Sequence, residues 1–68
     1  MPEEYRKMWA DLYRFFEYFY QIYAAGMKAE DCVRAMEVVD MLYHKWGDHP
    51  FVREVLIKTT EYFLGRLQ

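Results

Sequence analysis

Apolar residues recur along this chain at spacings of three and four throughout, not two, and short polar joints divide them into three runs. That is the pattern of amphipathic helices. Pro2 suits a first helical turn, where its missing N–H costs nothing, and Glu3 and Glu4 favour the positive end of the helix dipole. No glycine or second proline intervenes before Gly26, which can take the left-handed conformation that commonly ends a helix. The first helix is therefore predicted over about residues 2–25. Met27 and Lys28 form a joint, Glu30 and Asp31 supply an acidic first turn, and a second helix is predicted over 29–46, ended by Gly47. Asp48 is expected to cap a third helix over 50–66, with Pro50 just inside its start and Gly65 fraying its last turn. Joints this short fold neighbouring helices back on one another. The expectation is an all-α fold, a compact three-helix bundle that makes residues 1–68 a single domain with a long aromatic-rich first helix.

At about 100° per residue, Met8, Phe15, Ile22, Phe19, Leu12, Tyr5, Tyr23, Phe16, Trp9, Tyr20 and Tyr13 of the first helix span an arc of roughly 180°, well beyond the stripe a core needs. Lys7, Asp11, Arg14 and Glu17 define the opposite, solvated side, with Tyr18 stranded among them. The second helix places Cys32, Ala35, Met36, Val39, Leu42, Tyr43 and Trp46 on a core stripe and turns Glu37, Asp40, His44 and Lys45 outward. Phe51, Val52, Val55, Leu56, Thr59, Tyr62 and Phe63 form the broad core side of the third. Tyr13, Tyr20, Val38, Met41, Ile57 and Leu64 are left over. Monomers rarely expose large contiguous apolar patches, so these positions call for a partner or a second copy.

Composition sharpens this picture. Nine aromatic residues crowd between Tyr5 and Tyr23, and aromatics make up 21% of all 68 residues, more ring surface than one small domain hides within itself. Tyrosine and tryptophan anchor protein interfaces well, because they bring much contact area for little lost side-chain entropy. A net charge of -2, from nine basic and eleven acidic residues scattered along the chain, gives no electrostatic footprint for a phosphate backbone. Nucleic acid is disfavoured. A helix-turn-helix through Gly47-Asp48-His49-Pro50 would place Glu54 and Glu61 beside Arg53 and Lys58 on the probe helix, where a duplex repels them. The single cysteine, Cys32, fits a reducing compartment, the N-terminus is acidic where a signal peptide is basic, and no apolar run reaches the roughly 20 residues of a membrane span. A cytoplasmic protein with no membrane segment is expected.

Candidate chemistry is sparse. Glu37, Asp40 and His44 share a helix face at i, i+3 and i+7, but they lack the opposing ligands a bundle metal site needs, so the face is read as solvated and no metal is expected. His49 before Pro50 is read as a helix-start residue joining Asp48 in capping. Cys32 on the core stripe reads as a small buried apolar residue, since a reactive cysteine wants exposure and a nearby positive charge. Thr59 and Thr60 have no activating neighbours, and no nucleophile-elbow or phosphate-loop motif occurs. No catalytic residue and no cofactor is expected. The polar face of the first helix mixes Asp11 and Glu17 with Lys7 and Arg14, unlike the basic face of a membrane-surface helix.

Leu42-Tyr43-His44-Lys45-Trp46-Gly47-Asp48-His49-Pro50, with Tyr5-Arg6-Lys7-Met8-Trp9-Ala10-Asp11-Leu12-Tyr13 near the start, resembles the small uncharacterised helical proteins of bacterial prophages and integrative elements. The resemblance carries no site residue. It implies a context, in which short proteins bind and block a host machine, defence systems included. Together these readings predict a non-enzymatic protein-binding module, homodimeric or a small oligomer, that inhibits a host defence or regulatory complex by occluding a surface. Trp9, Tyr13, Tyr18, Tyr20 and Met41 are the expected partner-binding residues. One alternative is an oligomeric sponge that holds a small nucleotide signal in an aromatic pocket, its phosphates met by Arg6, Lys7, Arg14, Lys28 or Arg34. Another is a homo-oligomer with a purely structural role.

Overall fold

The computed structural model describes residues 1–66, which form three helices: α1 (Glu3–Ala24), α2 (Ala29–Lys45) and α3 (Pro50–Gly65), with no strand among the described residues. The fold is an all-α three-helix bundle. Ala29 and Pro50 begin their helices as expected, whereas Pro2, Ala25, Trp46 and Arg66, expected as terminal helical residues, are the caps one position outside. At the start of α2 the Lys28 N–H donates to Asp31 Oδ2 at 3.0 Å, which satisfies one donor that the helix ladder leaves free. The cap of α3 differs from expectation. His49, not Asp48, holds that position, and its Nδ1 accepts the Phe51 N–H at 3.1 Å.

Asp48 is drawn away from capping by the turn before it. Gly47 (φ 61°) donates to the His44 carbonyl, and Asp48 (φ 59°) donates to the Tyr43 carbonyl, the paired bonds of a Schellman motif closing α2. A side chain at Gly47 would meet nothing within 4 Å, so its glycine requirement is purely one of backbone angle. Gly47→Ala is therefore expected to cost about 1–2 kcal/mol, read as a lower urea midpoint at unchanged m-value. An unchanged midpoint would show that the turn tolerates a side chain there.

Met8, Leu12, Phe15 and Phe19 of α1, Ala35 and Leu42 of α2, and Val52, Leu56 and Phe63 of α3 make one buried core. Ring contacts set the direction of α1 and α3, which pack directly on each other. Trp9 meets Phe51 (centroids 5.4 Å apart) and Phe19 stacks on Phe63 (5.2 Å), so α1 and α3 run the same way, with α2 antiparallel to both and packed against each. A polar tie joins α1 to the end of α2. Lys45 Nζ and Trp46 Nε1 both donate to Asp11 Oδ2, at 2.7 and 3.0 Å.

Several expected placements are corrected by this packing. Asp11 and Lys45 are not simply solvated, because the end of α2 docks on the flank of α1 where Asp11 stands, and Asp11 retains only 12% of its side-chain exposure. Tyr18, Val38 and Leu64 are half-buried against the core instead of stranded outside it, since the grooves between helices admit side chains well off the central line. Met36, Phe51 and Tyr62, expected in the core, are exposed at the flanks of their helices. Only three helices share this core, and a broad apolar arc on each cannot be covered on both flanks.

Candidate interaction surface

Helix α1 carries two parallel rows of large side chains. Met8, Leu12, Phe15, Phe19 and Ile22 step by four and three along the core side, and Trp9, Tyr13, Phe16, Tyr20 and Tyr23 repeat those steps one residue later. Alternate steps of four and three are the spacing at which a helix presents a seam to another helix. The first row is consumed by α2 and α3. The second overhangs the α3 side, rotated by about 100° from the first.

Its inner members lean on α3: Phe16 and Tyr23 lie 5.2 and 5.6 Å from the Phe63 ring, and Trp9 meets Phe51 edge-on. Its outer members touch less. Tyr13 remains 66% and Tyr20 56% exposed, values that place both rings outside the core. From α3, Phe51 and Tyr62 extend the same face, with the Arg66 guanidinium 4.2 Å from the Tyr62 ring centre. Shallow concavities follow the rings, one between Tyr13, Phe16, Glu17 and Tyr20 and another bounded by Tyr20, Tyr23, Tyr62 and Arg66. The result is a ridged aromatic face, about 16 Å long from Trp9 to Tyr20.

The five expected contact residues divide between two places. Trp9, Tyr13 and Tyr20 share the α1–α3 face, whereas Tyr18 and Met41 line a groove between α1 and α2 with Arg14, Val38 and Leu42. No single flat partner covers both sets, because they lie on opposite flanks of α1. Met41 is exposed and Tyr18 is half-buried. Phe51 and Tyr62, placed on the core side of α3 by periodicity, belong to the aromatic face; so does Phe16, which the broad arc of α1 left unassigned and which the overlapping four-and-three step of the second row identifies. A third groove, of about 280 Å³, runs between α2 and α3 with Met36, Tyr43 and Ile57 on its walls and Asp40 and Arg53 at its edge.

The polar residues weighed for chemistry lie elsewhere. His44 stands on the outer side of α2 with Nε2 3.3 Å from Asp40 and Nδ1 3.8 Å from Asp48, all three well exposed. Among the described residues no group of three or more His, Cys, Asp or Glu gathers as a metal site. Cys32 is half-buried, and Arg14 lies beside Tyr18 and Phe15 in the α1–α2 groove. No helix among the described residues is long and apolar enough to cross a membrane. No family model, curated protein or solved structure matches the chain.

Proposed function

We propose that this protein is a non-enzymatic protein-binding module that works through the aromatic face of α1 and α3. The observation that carries the reading is the second row on α1, which has the spacing of a helix-packing seam while Tyr13 and Tyr20 stay exposed. Rings in such a row supply contact area at low entropy cost and suit a helical or ridged partner. The resemblance to prophage and integrative-element proteins adds a finer reading, that binding occludes a host defence or regulatory complex. Under that reading Tyr18 and Met41 offer a second contact point on the α1–α2 groove.

Replacing Tyr13 and Tyr20 together by Ser tests the reading. Association, followed by solution mass and by capture of proteins on the immobilised chain, is expected to fall at least tenfold. Far-UV circular dichroism is expected to stay nearly unchanged, since neither ring is core. Unaltered association in the double variant would remove the aromatic face from the function.

A further inference from the structure

A face with helix-packing periodicity is matched by another helix, and two charges beside the rings of α1 select which helix. Arg6 and Glu17 are both exposed, and among the described residues neither takes part in an ion pair. At about 100° per residue both fall on the outer edge of the second row, about 16 Å apart along the axis. An antiparallel copy of α1, related by a two-fold axis midway between them, brings Arg6 of each copy onto Glu17 of the other. The contact is made twice. The same axis sets the exposed Ala10 opposite Tyr13 of the other copy, where a small side chain gives a ring room to seat. A parallel in-register pairing would instead oppose Arg6 to Arg6 and Glu17 to Glu17.

The available area agrees with a dimer. Trp9, Tyr13, Phe16, Tyr20, Phe51 and Tyr62 are each roughly half exposed. Aromatic side chains carry about 150–250 Å² each, so these six offer on the order of 600 Å² per copy. Flanking side chains bring this towards the roughly 800 Å² per partner of a standard stable interface.

From this charge pattern and area we infer that the occupant of the aromatic face is a second copy of this chain, paired antiparallel through α1 about a two-fold axis near the level of Asp11 and Leu12. The inference rests on the binding role given above to the same face and names its partner. In such a dimer the α1–α2 groove with Tyr18 and Met41 stays open on each copy.

The test is light scattering on the intact chain from micromolar to near-millimolar concentration, with charge-reversal variants. The wild type is expected to reach a dimer mass. R6E and E17R are each expected to weaken dimerisation about tenfold, because each opposes like charges at both ends, and R6E/E17R together is expected to restore it to within about threefold. A dimer that the single reversals leave unaltered, or that the double variant fails to restore, overturns the antiparallel pairing. A wild type monomeric at every concentration overturns self-pairing altogether. If that monomer still captures another protein through Tyr13 and Tyr20, the binding face stands with a different occupant; if it associates with nothing, the binding role falls as well.

Discussion

Phe63→Ala is expected to unfold most of the chain at room temperature. Phe63 is 2% exposed and its ring meets those of Phe16, Phe19, Tyr23 and Tyr62, with centroids 5.2 to 5.6 Å away. Through the three α1 rings it is, with the Trp9–Phe51 contact, one of the two aromatic places where α3 is held to α1. A buried Phe→Ala change typically costs about 3–5 kcal/mol, and each well-placed ring pair contributes about 0.5–1.5 kcal/mol beyond its area. A chain of this length commands only about 3–10 kcal/mol in total. The loss is thus comparable with the whole stability. Urea denaturation followed by circular dichroism should show no native baseline, or a midpoint close to zero denaturant. The exposed Tyr13→Ser change should lower the stability obtained from that titration by less than about 1 kcal/mol. A Phe63→Ala variant as stable as Tyr13→Ser would contradict the packing of α3 on α1.

That contrast also shows why the fold was more legible in the sequence than the surface. Helix ends follow from local chemistry: Pro2, Gly26, Gly47 and Pro50 act within a turn of their own positions, and the three helices end beside the residues that signal their ends. Burial is not local. Whether Phe51 or Tyr62 enters the core depends on where α1 crosses α3, and periodicity gives the angle of a residue on its own helix but not the direction of its neighbours. Three helices then leave flanks that a wheel cannot assign, so Tyr18 is half-buried while Phe51, the more apolar residue, is exposed. The same gap splits the expected contact set. Tyr18 and Met41 turned to the α2 side, Trp9, Tyr13 and Tyr20 to the α3 side, although all five lie on apolar or stranded positions in sequence.

Asp48 shows the limit on the local side. Asp is a favoured helix cap, and its place before His49-Pro50 suggested that role. The Schellman closure of α2 instead demands its N–H for the Tyr43 carbonyl and sets φ at 59°, which Asp tolerates better than most residues. The cap passes to His49. Two rules competed for one residue, and the hydrogen-bond needs of the preceding helix end prevailed.

The second large effect is expected at Asp11, which among the described residues is the α1 side chain that hydrogen-bonds the end of α2. Burial raises its pKa, but hydrogen bonds from Lys45 and Trp46, with the nearby charges of Lys45 and Arg14, outweigh burial and hold the carboxyl below its ordinary value. The sequence hid this role because Asp11 lies among charged residues on the wheel. Trp46 was the available clue: an indole N–H on a core stripe requires an acceptor. Asp11→Ala removes that acceptor and the Lys45 partner together, and is expected to cost about 2 kcal/mol, within the range for charge-assisted hydrogen bonds and discounted for the exposed lysine end. Asp11→Asn keeps an oxygen for Trp46 and should cost about half as much. A depressed folded-state pKa stabilises the fold above the unfolded value near 3.9, and that contribution is lost as pH falls through the lower folded value. The difference in melting temperature between wild type and Asp11→Asn should therefore be constant from about pH 5 to 8 and shrink below about pH 4. A difference that does not change with pH at all while the fold persists would mean that Asp11 acts through packing and not through its charge, and the bond from Lys45 would then have no part in holding α2 against α1.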